Sequence, residues 1–156
     1  MILESNDMEN GQDIDKKFTC DAEDFSPHLK WREIPEGTKS FALLLLDPKT
    51  EYGIVKHWLV HDIPLNITQI PCAGPVPGIE LHHDFRGLGY DVPCPESGKH
   101  EYIFTIYALD VDHLEEVDRF NFRKKVANHT IEKAEITVSY EREFDFSQFR
   151  RSSCHF

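Results

Sequence analysis

Four side chains capable of acid–base or anion chemistry stand where apolar, strand-like runs begin or end. Asp47 closes SFALLLLD (40–47), His57 lies near the start of VKHWLVHDI (55–63), and His100 and Tyr102 stand at the entrance of EYIFTIYALD (101–110). Side chains two residues apart on a strand share one face, so His100 and Tyr102 project together. If the three strands are neighbours, all four groups converge at one rim of a sheet. Two imidazoles and a phenol donate hydrogen bonds to an anion, and a carboxylate fixes the tautomer of an imidazole or raises its basicity. That set suits a phosphate or carboxylate group. No nucleophile occupies an obvious position, so the pattern points to binding rather than catalysis.

Each residue also has a plainer reading. Asp47 before Pro48 serves as a turn cap. His57, with Leu59 and His61 expected on its face, serves as a satisfied core histidine beside Trp58. His100 serves as an exposed loop residue and Tyr102 as strand packing. Other constellations are weaker. His82-His83-Asp84 has metal-ligand residue types, but adjacent strand residues point opposite ways, so no metal is expected. Ser97-Gly98 lacks the frame of a hydrolase elbow. Cys94, between two prolines and near His100, has the alternative of a nucleophilic thiol. The glycines of FRGLGY fit no phosphate-loop spacing, and no cofactor is implied. His129 reads as structural, and Arg123-Lys124-Lys125 reads as a solvated helix face.

Stepping outward to the elements, residues 1–16 read as a loose acidic arm. FTCDAEDFSPHLKW (18–31) is short alternating material rich in turn formers, and EIPEGTK (33–39) is a turn by composition. Residues 40–47 form a buried strand that Asp47-Pro48 is expected to stop, with a turn over 48–54. The strand 55–63 ends at Pro64. Residues 64–99 hold most of the prolines and glycines, and a structureless stretch of that length is usually functional. Residues 101–110 form the clearest strand. Asp112 to about Glu116 suits one helical turn, and residues 120–134 suit a helix with Asn121 as N-cap. Residues 134–143 alternate as a final strand, and the tail FDFSQFRRSSCHF (144–156) is ambiguous. Strands dominate and the helix comes late, which predicts a mainly β fold: an antiparallel sandwich with a peripheral helix, in one domain over 1–156.

The formal net charge of −11 argues against nucleic acid and against adhesion to an anionic membrane. No apolar run reaches the length that spans a bilayer. The acidic N-terminus has neither the basic nor the apolar region of a signal peptide, so a cytoplasmic location is expected. Cys20, Cys72, Cys94 and Cys154 share no zinc or CxxC spacing, and in a reducing compartment free thiols are expected.

The stretch 18–48, FTCDAEDFSPHLKWREIPEGTKSFALLLLDP, resembles the opening of the phosphatidylethanolamine-binding protein family, and more closely its bacterial and archaeal Raf-kinase-inhibitor-like branch. The likeness continues through HWLVHDIP and HHDFRGLGYDVPCPESGKHEYIFTIYALD, and extends weakly to AEITVSY, covering about residues 18–140. It implies a Greek-key β-sandwich with peripheral helices and a small anion pocket at one end. On the family pattern Asp47 matches the aspartate of DPDxP, and His57 the histidine that follows it. Pro93-Cys94-Pro95 matches the proline loop, a pocket wall, and His100 and Tyr102 match the HxY pair of its floor. The sequence departs from the pattern at Lys49, Thr50 and Glu51, at Asp91 and Val92 in place of glycines, and at Glu96 in place of a proline. Acids at Glu51, Asp91 and Glu96 are expected to weaken the binding of anionic lipids, against which Lys49 compensates if it faces the mouth.

The leading expectation is therefore a non-enzymatic binding and regulatory protein. It takes a phosphate-like, phospholipid-headgroup-like or carboxylate ligand and acts on a kinase or protease partner, with a homodimer implied by the resemblance. The alternatives are an interaction protein with a vestigial pocket, binding through 64–99, and a small esterase- or phosphatase-like hydrolase with a histidine general base.

Overall fold

The computed structural model describes residues 1–142. The chain builds β1 (Ile2–Glu4), β2 (Leu29–Arg32), β3 (Ser40–Thr50), β4 (Gly53–Pro64), β5 (Gln69–Ile70), β6 (Ile79–Glu80), β7 (Lys99–Leu109), α1 (Phe122–Ala127) and β8 (Thr130–Glu141), with a 3-10 turn at Lys16–Phe18. Two sheets result, ordered β1-β2-β5 and β6-β4-β3-β7-β8, and all neighbours pair antiparallel. The mainly β, antiparallel architecture expected from the strand pattern is what forms.

Apolar alternation explains the layers. Leu43, Leu45, Trp58, Tyr102, Phe104 and Val138 turn one face of the large sheet toward Leu3, Leu29, Trp31 and Ile70 of the small one, making the main core. Leu44, Leu46, Leu59 and Leu109 turn the opposite face toward Leu114 and α1, where Phe122 and Val126 lie one helical turn apart. Because β3 is buried on both faces, its sequence reads as an unbroken apolar run rather than an alternation.

Several boundaries differ from expectation. Residues 1–16 are not a loose arm. Leu3 pairs with Trp31, Leu3, Met8 and Ile14 are buried, and the stretch 10–14 runs along β8. Its contacts there are Gly11 N–H to Thr137 O (2.7 Å), Ile14 N–H to Ser139 O (2.9 Å) and Ser139 N–H to Gln12 O (3.1 Å). Pro48 does not stop β3. The ladder to β7 has ended at Leu46, and the ladder to β4 is irregular between Asp47 and Thr50, so no N–H is required there. The turn shrinks to Glu51-Tyr52.

Residues 64–99 are not structureless, since β5 and β6 pair within them. The helix stops at Ala127 because Thr130–Ala134 pairs with Ile106–Leu109 of β7, and a sheet partner outweighs helix propensity. Asn121 is the N-cap residue, as expected, but makes no side-chain cap bond: its side-chain Oδ1 accepts from Asp118 N–H at 2.8 Å instead. Residues 112–116 form no helix. The tail 144–156, with Cys154, lies outside the described residues. Among the described residues no helix is long and apolar enough to cross a membrane.

Candidate functional site

β3 and its two ladder partners, β4 and β7, deliver the polar groups to one end of the sandwich. Asp47, at the far end of β3, is 2% exposed. Its Oδ1 accepts the Lys49 N–H at 3.0 Å, and its Oδ2 accepts the Nδ1 hydrogen of His100. His100 and Tyr102 share the main-core face of β7, as period-two spacing requires, and their rings lie 6.4 Å apart, roughly stacked.

His57 reaches the same face by a different device. Trp58 pairs with Leu45 and Lys56 with Leu46, which leaves His57 as the extra residue of a β-bulge. The bulge turns His57 and Trp58 to one side. Leu59 goes to the opposite core, so His57 does not share a face with it. His57 meets Tyr102 edge-on at 5.6 Å and Phe85 at 6.0 Å.

These rings line a cavity of about 430 Å³. Asp47, His57, Cys94, Pro95, His100 and Tyr102 all border it, with Glu51, Glu96 and Asp91 among the acids. Pro93 does not border it. Its carbonyl accepts the Cys20 N–H at 3.2 Å, and it serves to seat the loop. Lys49 does not border the cavity, and among the described residues neither does any other lysine or arginine.

Sequence reasoning missed three contributors. Asp91, read only as a departure from a glycine, places its carboxylate 3.1 Å from His57 Nδ1. The site thus contains two carboxylate–imidazole pairs, both made through Nδ1. Phe85 of the HHDF stretch borders the cavity while its neighbours hold the turn. His83 Nδ1 accepts from Phe85 N–H (3.1 Å), His82 Nδ1 donates to Arg86 O (3.0 Å), and Asp84 accepts from Lys56 N–H (2.7 Å). The third is Cys20. It is joined to Cys94 by a disulfide across 74 residues, so the expected free thiols are found only at Cys72 among the described residues. No spacing rule links so distant a pair. With its sulfur bonded, Cys94 is no nucleophile in this form.

The electrostatics suit a donor set. Burial first, then the charges of Asp47 and Asp91, push the Tyr102 hydroxyl far above the ordinary phenol range, so it stays a hydrogen-bond donor. Tyr102 is 1% exposed, and its hydroxyl, without a hydrogen-bond partner among the described residues, keeps access to the cavity. With Nδ1 of His57 committed to the carbonyl and carboxylate of Asp91, and Nδ1 of His100 to the Asp47 carboxylate, Nε2 of each ring has no partner among the described residues. Behind the site, burial holds the His83 imidazole below its usual range.

The family model for phosphatidylethanolamine-binding protein matches residues 4–141. A UPF0098 protein of Aquifex aeolicus is 41% identical over 73% of this chain and 71% of its own length. The UPF0098 protein YbhB of Escherichia coli is 33% identical over 74% of this chain and 82% of its own. Among solved structures, a phosphatidylethanolamine-binding protein homolog of Chlamydia trachomatis superposes with a TM-score of 0.84 at 29% identity, covering 91% of this chain and 97% of that one. YbcL of E. coli also gives 0.84, at 28% identity, covering 90% of this chain and 98% of that one.

Proposed function

The chain belongs to the phosphatidylethanolamine-binding protein family, and on that premise we propose that it is a non-enzymatic binding protein for a small anion, a phosphate or a phospholipid-headgroup-like group. One observation carries the reading. Two imidazoles, each with Nδ1 beside a carboxylate, and a phenol unpartnered among the described residues border the same cavity of about 430 Å³. Protonated Nε2–H groups and the Tyr102 O–H are donors that a phosphate accepts, and charge-assisted bonds of this kind are the strong ones. Among the described residues no lysine or arginine borders the cavity, so the imidazoles are the groups there that can carry positive charge. The hydroxyls of Thr50 and Ser97 also border it, but neither pairs with an imidazole, and Thr50 donates to Gly53 O at 2.7 Å. That supports binding over hydrolysis. Regulation of a kinase or protease partner is the physiological role we attach to the occupied site.

The test is a titration of inorganic phosphate and O-phosphorylethanolamine followed by two-dimensional NMR. We expect saturable shifts at His57, His100 and residues 91–102. Absence of shifts at millimolar ligand overturns the reading.

A further inference from the structure

We propose that the Cys20–Cys94 bond is a thiol–disulfide exchange site whose opening releases one wall of the cavity. Both cysteines border the cavity, and their two sides are held very differently. The Cys20 side is anchored without the bond. Phe18 is 1% exposed in the main core, the Tyr90 hydroxyl donates to Phe18 O at 2.8 Å, the Thr19 hydroxyl donates to Lys16 O at 2.7 Å, and the Tyr140 hydroxyl donates to the Asp21 carboxylate. The Cys94 side has fewer polar ties. Among the described residues, the loop from Val92 to Gly98 makes a single backbone hydrogen bond, Cys20 N–H to Pro93 O at 3.2 Å. Pro93 and Pro95 are buried but have no N–H to contribute. Beyond that packing, the covalent bond is the main tie of the exposed part of this loop, Cys94 and Glu96–Gly98, to the body.

The surroundings favour exchange. Cys94 is exposed and Cys20 half-buried. A thiolate from outside attacks Cys94 Sγ, the Cys20–Cys94 bond breaks, and Cys20 leaves as a thiolate that takes a proton. With a dithiol as reductant, its second thiolate attacks its own sulfur in the mixed disulfide. Cys94 then leaves as a thiolate and is protonated in turn. Two electrons and two protons pass to the protein, and the reductant becomes a disulfide. Arg142 Nη1 lies 3.7 Å from Cys94 Sγ, placing positive charge beside the sulfur that leaves in the second step. The same guanidinium pairs with Asp21 at 3.0 Å, so it is already held in that position.

The consequence for ligand rests on the anion-binding reading above. The freed loop carries Val92, Pro95, Glu96 and Ser97 out of the wall and loosens Asp91, which orients His57. Reduction therefore weakens the site without unfolding the sheets.

The experiment compares the oxidised full chain with the same protein treated with dithiothreitol in native buffer, and with Cys20→Ser as a permanently open form. Thiol alkylation and mass measurement report the bond. The amide heteronuclear NOE of Cys94, Glu96 and Ser97 reports the loop, with the amides of β3 as reference. A titration with inorganic phosphate reports the site. We expect the bond to open without denaturant, the three loop NOEs to fall while β3 is unchanged, and phosphate to bind about tenfold more weakly, the loss of one charge-assisted contact. A bond that resists dithiol until the protein unfolds overturns the proposal, and so do loop NOEs that ignore reduction. Equal phosphate affinity in both forms overturns the control of the site while leaving the anion reading intact. If the oxidised protein binds no phosphate but its loop responds to reduction, the exchange site stands and the anion reading falls.

Discussion

Asp91 grips His57 through both main chain and side chain. Its N–H donates to His57 O at 2.8 Å, while His57 Nδ1 lies 3.1 Å from its carboxylate and 3.2 Å from its carbonyl. Both acceptors facing Nδ1 belong to one residue, so the neutral ring carries its hydrogen on Nδ1 and keeps a lone pair on Nε2. Long-range nitrogen–proton correlation at mildly alkaline pH should show this tautomer for His57. Asp91→Gly, which restores the residue of the family pattern, removes the carboxylate but keeps the carbonyl, so the Nδ1–H tautomer should persist while the His57 nitrogen shifts change. Unchanged His57 nitrogen shifts in that variant would show that the carboxylate has no part in orienting the ring.

Removal of either imidazole tests the donor set directly. His57→Ala and His100→Ala should each weaken phosphate by about 10- to 100-fold, the range for one hydrogen bond to a charged group. Calorimetry on the folded variants checks this, with circular dichroism confirming that the sheets persist. Affinity equal to that of the parent in both variants would move the ligand elsewhere.

Tyr102 and Tyr90 make alkaline stability a readout of burial. Burial first, then Asp47 and Asp91, raise the Tyr102 hydroxyl, and burial first, then Asp91, raises that of Tyr90. In the unfolded chain both ionise near pH 10. Their folded values are higher, so their contribution is fully present below about pH 10 and is lost as pH rises beyond it, because the unfolded state then binds fewer protons. The urea midpoint should fall between about pH 10 and pH 11.5, and Tyr102→Phe should flatten that decline. A midpoint independent of pH over that interval contradicts the assignment.

Gly89 is required by what lies beside it. Its φ is +88°, and a Cβ there would come within 2.7 Å of Glu80 Oε2, the acceptor of Trp58 Nε1–H at 2.9 Å. Gly89→Ala strains the backbone and drives the carboxylate off a fully buried indole. The expected cost is about 3 kcal/mol from strain plus an unpaired buried donor. Chemical denaturation measures it, and a cost under about 0.5 kcal/mol would mean that Glu80 moves aside freely.

Legibility followed the length scale of the cause. His100 and Tyr102 could be placed on one face because a strand has a period of two, and Asp47 could be placed at an end of its strand because the apolar run stops there. The orientation of His57 could not be read, since a bulge is a property of how two strands match and not of either alone. The over-long helix had the same origin: Thr130–Ala134 has acceptable helix propensity, but the upper half of β7 needed a partner. Asp91 looked like a loss against the family pattern, and only the fold brought it to His57. The partner of Cys94 lay 74 residues away, beyond any local signal.

The strip from Asn10 to Ile14 also acts as a hem. It occupies backbone groups of Thr137 and Ser139 that an outermost strand would otherwise present to any passing chain. Trimming through Ile14 unpicks that hem and bares a ready template for edge-to-edge stacking. A fragment beginning after it should gather into aggregates under conditions where the whole chain stays dispersed, so the first fourteen residues guard colloidal behaviour as much as they complete the fold.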